Sequence, residues 1–324
     1  MRARFNYWRR IFRSYFFPKT SALNFWHERP TASADFKIGE LGSYYMTFED
    51  KAGYAGPRDA DGIILLDYHG DIGQRHNPIA IAQYGLARLN RYLKSRQLED
   101  LAEAKKHGDW LVSNLKKNSE GVEVWVHDFA WRYRENLPPG WYSALAQGSG
   151  ISLLARLFEA TKEVKYLETA KRAFSALKTP IKQGGVLYED PEGNIWLEEY
   201  VVEPPTHILN GFLWTLWGVW DYWLLTKEES AYSLFKKCAK TLVVNLPRYD
   251  IGFWSLYDLS EQAMNMIASP FYHRLHIVQL GITARLTNEL VFSEYAERWA
   301  GYEKNPVYRI ISIVYKAVFK IFYF

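Results

Sequence analysis

A single cysteine, Cys238, stands in 324 residues. One thiol builds neither a disulfide framework nor a cysteine metal cluster, and it fits a reducing compartment. No apolar run reaches the ~20 residues that a membrane-spanning helix needs. The stretch YFFPKTSALNFW follows a basic segment but is too short and broken for the apolar core of a secretion signal. The expected location is therefore cytoplasmic, or peripheral to a membrane. Acid is missing from both ends. Residues 1–19 hold six basic groups (Arg2, Arg4, Arg9, Arg10, Arg13, Lys19), and residues 305–324 hold three (Arg309, Lys316, Lys320). Taking these nine charges from the net +4 leaves −5 on the body between them. A body of that sign argues against a nucleic-acid partner. A polyanionic sugar would need a local basic groove, which net charge does not reveal.

Aromatic side chains are abundant, at 17% with 13 Trp and 23 Tyr. Two readings stay open: faces on which sugar rings stack, or a Trp-rich helical core. Phe5, Trp8, Phe12 and Phe16 recur at helical spacing among the N-terminal arginines. Ile310, Ile311, Val314, Val318, Ile321 and Phe322 share a broad face near the other end, with Lys316 and Lys320 between them. Both segments suit an anionic membrane surface, or they dock on the body.

Between the ends a pattern recurs. Residues 35–75 look β-rich, and YYMTFED and GIILLDY are expected to form a hairpin across a long loop. HGDIGQRHNP then leads into a helix with Pro78 at its first position. Helix pairs follow: IAIAQYGLARLNRYLKS with LEDLAEAKKHGDWLVSNLKK, WYSALAQGSGISLLARLFEATK with KYLETAKRAFSALK, HILNGFLWTLWGVWDYWLLTK with SAYSLFKKCAKTLVVNL, and YHRLHIVQLGITARLTN with NELVFSEYAERWAGYEK. Strands separate them: GVEVWVHDFAW, a hairpin of GGVLYED and NIWLEEY about Pro191–Gly193, and FWSLYDL. Helix hairpins at a roughly constant period must stack to bury their faces. Four can close into an (α/α) barrel with the strands at one rim, or they can form an open solenoid. Closure is favoured because the polar and aromatic clusters at the inner-helix starts would converge on one pocket. The expected organisation is a basic arm at 1–34, a β segment at 35–75, a mainly α catalytic barrel at 76–304 and a basic amphipathic helix at 305–324.

Five patches carry a family resemblance. NPIAIAQYGL (77–86), GWYSALAQG (140–148), LEEY followed by LNGF (197–212), SLYDL (255–259) and YHRLHIVQL (272–280) resemble, in order and spacing, the catalytic domain of the D-glucuronyl C5-epimerases, which act on heparosan and heparan sulfate precursors. The resemblance spans about residues 77 to 303. It implies an (α/α) barrel, no cofactor, and inversion of C5 of glucuronate to give iduronate in an anionic polysaccharide. It assigns proton transfer to Glu199, Tyr200, Tyr257 and Tyr272. It places Tyr142, Gln147, Asn210, His273, His276 and Gln279 around the substrate. Three departures stand out. Ser260 occupies a place where the family's vertebrate members carry arginine; with that arginine lost an unsulfated chain is the expected substrate, and nearby Arg274 is the candidate substitute. A larger N-terminal β region and a membrane anchor are not seen, so the family's homodimer is only a carried-over expectation. PTHIL replaces a longer loop.

The chemistry suits these residue types. Removing the C5 hydrogen beside a carboxylate leaves an enediolate, which must be met by positioned donors. Proton carriers are then needed on both faces of the ring. A basic tyrosine must be drawn down from its usual ~10 by a cation or donor, and Arg274, His273 and His276 are the expected neighbours. His273 and His276 could suggest zinc, but no third ligand follows at matching spacing, so no metal is expected. Rival readings are a uronate lyase, which shares the C5 carbanion but expels the 4-O substituent, a glycoside hydrolase and a glycan-binding protein. Glu198 and Glu199 are adjacent on a strand and point to opposite faces, which argues against a paired-carboxylate hydrolase.

Overall fold

The computed structural model describes residues 25–323, save 69 and 134, with side chains as far as 319. The N-terminal aromatic-arginine pattern therefore lies outside the described residues. The chain is mainly helical: four helix hairpins form a toroid with inner helices α1 (Pro78–Ser95), α3 (Ala144–Thr161), α5 (Leu209–Thr226) and α7 (Pro270–Thr287). Their outer partners are α2 (Leu98–Asn114), α4 (Val164–Lys178), α6 (Glu229–Asn245) and α8 (Leu290–Lys304). A last helix, α9 (Pro306–Tyr323), lies against the outside.

Local chemistry starts and stops these helices. Asn77 accepts from the N–H groups of Ile79 and Ala80 with Pro78 behind it, and Ser143 and Ser269 cap α3 and α7 in the same way. All four inner helices end alike. Arg96, Lys162, Lys227 and Asn288 adopt the left-handed conformation, and each N–H returns to a carbonyl one turn back. Three of the four put a cation at the negative end of the helix. The outer helix begins two residues later each time, so one turn geometry sets the repeat.

Helices α3 and α5 make the closest pair. A Cβ on Gly148 would lie 2.6 Å from the Thr215 Cα, and one on Gly218 would lie 2.5 Å from the Gly148 Cα. Glycine at both places lets the two backbones touch. Helix α5 is buried on nearly every side, as its unbroken apolar sequence requires.

The expected N-terminal hairpin does not form. YYMTFED ends in a helical turn at Glu49–Ala52, and GIILLDY pairs elsewhere, through β1 (Leu66–Asp67) with β2 (Gln74–Arg75). The cause is that helix side chains take the backbone groups a hairpin would use. The Tyr44 N–H donates to Asn90 Oδ1 at 2.7 Å, and Asn90 Nδ2 donates to the Met46 carbonyl. Residues 36–48 instead plug the C-terminal end of the barrel and touch every inner helix there. They meet Asn90 on α1, Arg156 on α3 through the Gly42 carbonyl, Asp221 on α5 through the Tyr45 hydroxyl, and Arg285 on α7 through the Phe36 ring.

The opposite rim carries the strand excursions. GVEVWVHDFAW is not one strand. It breaks into β4 (Glu123–Val124, paired with β3, Lys116–Lys117), β5 (Val126–His127) and β6 (Trp131–Arg132). Strand β6 pairs with β7 (Asn136–Leu137), and β5 pairs with β8 (Trp141–Tyr142). Strands β9 (Leu187–Glu189) and β10 (Ile195–Leu197) form the expected antiparallel hairpin. FWSLYDL forms no ladder because its N–H groups reach three different segments: Leu256 to Tyr249, Tyr257 to Met266 and Leu259 to Thr206.

Candidate active site

Strand β10 delivers two carboxylates to the rim. The Glu198 carbonyl accepts from the Ala144 N–H at the start of α3, which ties the strand end to that helix. The side chains then diverge, and neither is a solvated strand end, with Glu198 1% and Glu199 6% exposed. Glu198 accepts from the N–H groups of Thr206 and His207 and from His207 Nδ1 at 2.5 Å. It therefore organises the loop that turns into α5. Glu199 faces the first turn of α5, where Asn210 Nδ2 stands 3.5 Å from its Oε2. A Cβ on Gly211 would sit 2.1 Å from the same oxygen, so only glycine leaves room for this carboxyl.

Three tyrosines surround Glu199. Tyr200 follows it in the chain. Tyr257 comes from the 250–268 loop and Tyr272 from the first turn of α7, with rings edge-to-face at 4.9 Å. Burial pushes the Glu199 carboxyl up to about 8, and the nearby carboxyls of Glu198 and Asp258 push the same way. Burial, followed by proximity to Glu199, also raises all three phenols. Glu199 therefore holds its proton to higher pH than an exposed glutamate, and once ionised it is a base beside protonated phenols.

The expected cationic neighbours are elsewhere. Arg274 lies two residues after Tyr272 on a helix, which turns it to another side, and it pairs with Glu303 of α8 at the surface. His273 is held between the Ser255 hydroxyl at 2.8 Å and the Trp299 carbonyl at 3.1 Å, stacked on Trp254. His276 also meets the Ser255 hydroxyl, at 3.1 Å. Burial pushes His273 down to about 4 and His276 well below its ordinary value, so both are neutral. They fasten the Tyr257 loop to α7 and α8 and do not charge the tyrosines.

The residues expected to form a polar wall take different positions. Gln279 donates to the Asn210 carbonyl at 3.0 Å and fixes the start of α5. Gln147 is buried with neither amide atom paired, and Asn210 Oδ1 and Gln279 Oε1 likewise lack partners among the described residues. Such atoms are what ordered water or a polar ligand satisfies. Tyr142 turns away, toward Asn118, since neighbours on a strand face opposite sides. Trp141 faces the site in its place, 5.6 Å from Tyr200 and stacked on the buried His127 at 3.6 Å.

Two contributors have no signal in spacing or period. Tyr133, beyond β6, stacks on Tyr200 at 4.4 Å and donates its hydroxyl to Asp258 Oδ2 at 2.7 Å. Ser260 donates to the other oxygen of Asp258 at 2.5 Å. Asp258 is thereby held on both sides, beside Tyr257.

A model described as the D-glucuronyl C5-epimerase C-terminus matches residues 119–301, more than half of the chain and every element of this site. The chain belongs to that family. A D-glucuronyl C5-epimerase of Caenorhabditis elegans is 37% identical over 209 residues, which cover 60% of this chain and 34% of that protein. An uncharacterized protein of Methanocaldococcus jannaschii is 32% identical over 202 residues, covering 59% of this chain and 64% of that one. The chain spans less than two thirds of either relative. Among solved structures, a cellobiose 2-epimerase from Spirochaeta thermophila superposes with a TM-score of 0.51 at 14% identity, covering 75% of this chain and 63% of the other. A D-mannose isomerase gives 0.52 at 10% identity, covering 77% and 67%. At these identities the likeness is one of fold: this chain shares the helical toroid with both.

Proposed function

We propose that this protein is a carbohydrate epimerase that inverts C5 of D-glucuronate to L-iduronate within a heparosan-like chain. The observation that carries the reading is the Glu199 carboxyl, buried among Tyr200, Tyr257 and Tyr272 at the converging starts of α5 and α7. Glu199, once ionised, removes the C5 proton. Tyr272, kept protonated by burial and packed edge-to-face on Tyr257, returns one from the opposite face, and proton exchange with solvent then resets both groups. The enediolate between these steps is met by neutral donors: the phenols, the Asn210 amide and the unpaired amide of Gln147. No cation is needed beside the tyrosines when the base is a carboxylate. Aromatic faces at Trp141 and Tyr133 suit a stacked sugar chain. Ser260 is bonded to Asp258, and Arg274 is engaged outside the site, so neither offers a sulfate a free cation; an unsulfated chain is the substrate.

The test is product analysis after incubation with unsulfated and N-sulfated heparosan. Iduronate formed without chain scission, faster from the unsulfated polymer, supports the proposal. Unsaturated ends absorbing in the ultraviolet would make the protein a lyase. A preference for the N-sulfated polymer would contradict the reading of Ser260.

A further inference from the structure

Helix α9 is built inside out. Its body-facing positions are Tyr308, Ser312, Tyr315, Lys316 and Phe319: Tyr308 and Tyr315 meet Phe253, and Lys316 Nζ donates to the Ile267 carbonyl at 2.5 Å with the residue only 7% exposed. Its solvent-facing positions are Val307, Ile310, Ile311, Val314 and Val318, with Ile310 63% and Val314 57% exposed. They follow one another at spacings of three and four residues and so form one continuous ridge. A surface helix ordinarily does the reverse, and a contiguous apolar face left in water marks an interaction site.

Charge decides among the occupants. Residues 305–324 contain no acid, and with Lys316 turned to the body the exposed cations beside the ridge are Arg309 and Lys304. The N-terminal 19 residues add six more basic groups and no acid. The described chain starts near this helix, because His27 packs on Phe271, four residues from the Ile267 carbonyl that holds Lys316. Like charge sets the arm, or a second copy of α9, against this ridge. A surface that is anionic and has an apolar interior complements it. Among the described residues no helix is long and apolar enough to cross a membrane. We propose that α9 is a membrane-docking element that lies in the plane of an anionic lipid surface with its Val307–Val318 ridge inserted below the headgroups. The ridge lies outside the candidate active site, so this assignment stands apart from the proposed reaction.

The test is co-sedimentation of the full chain with phosphatidylcholine vesicles, with and without phosphatidylglycerol, at rising salt. Wild type is expected to bind the phosphatidylglycerol vesicles and to release them as salt screens the basic groups. Ile310→Glu with Val314→Glu is expected to weaken binding about tenfold or more while leaving the circular dichroism unchanged, since both side chains point outward. Failure of wild type to bind, or equal binding to neutral vesicles, overturns the proposal. A dimer in light scattering that the double variant dissociates, without vesicle binding, assigns the ridge to a second copy. Hydrogen exchange in α9 that quickens on deletion of residues 1–24, without vesicle binding, assigns it to the N-terminal arm.

Discussion

Glu199 carries the account at the scale of single residues. Its carboxyl is pushed up to about 8 by burial and by neighbouring carboxyls, and a base must be ionised to act. The epimerisation rate should therefore rise with pH through about 8. Glu199→Gln should lower kcat by roughly a thousandfold with little change in KM. The same shift fixes the sign of a stability effect. A carboxyl whose folded pKa lies above its unfolded value helps the fold below the unfolded pKa, and that help is lost as pH rises through the folded pKa. Glu199→Gln should therefore melt higher than wild type at pH 9 and show little difference near pH 4, by thermal denaturation across that range. An inactive variant that is more stable is the signature of a site built for chemistry rather than for packing. Tyr133 tests the surroundings. Tyr133→Phe keeps the stack on Tyr200 but loses the bond to Asp258, worth about 1 kcal/mol, and should cut kcat about fivefold with KM unchanged. Tyr133→Leu, which loses both, should cut it further. A change in KM alone would reduce Tyr133 to a substrate contact.

Elements explain why some of this was legible and some was not. The four motif residues Glu199, Tyr200, Tyr257 and Tyr272 are brought together because each sits where a rim segment meets an inner helix; the period shows the helices, and the family resemblance singles out the residues. Arg274 follows Tyr272 by two positions, and helical geometry alone turns it elsewhere. Tyr133 lies two residues beyond GVEVWVHDFAW, the stretch that reads as one strand. The breaks that make β4, β5 and β6 come from tertiary demands, such as the Trp125 indole donating to the Leu111 carbonyl, which no local pattern announces. Glycines stand at the closest approaches, which no pattern in the sequence announced. Gly211→Ala places a methyl against the Glu199 carboxyl, and steady-state kinetics should show kcat falling at least ~tenfold while the fold persists.

At the scale of the molecule, the toroid has a chemical rim and a structural floor. The floor is the 36–48 plug, and its keystone is buried: Asp221 accepts from Arg156 at 2.6 Å and from the Tyr45 hydroxyl at 2.5 Å. Asp221→Ala leaves Arg156 unpaired in the interior and should cost roughly 3–5 kcal/mol in denaturant unfolding. An effect near zero would show that the plug is not a constraint on the barrel. Sequence period revealed the hairpins and their number, but not this plug, because a segment that bonds helix side chains has no period of its own. The rim carries the proposed chemistry, in which one group takes the C5 proton and a second gives a different one from the opposite face of the sugar. The most direct test is incubation of unsulfated heparosan with the protein in D2O, read by NMR. The account expects deuterium at C5 of uronate together with iduronate signals, and neither with Glu199→Gln. Iduronate without deuterium, or an uronate unchanged and unexchanged, would contradict it.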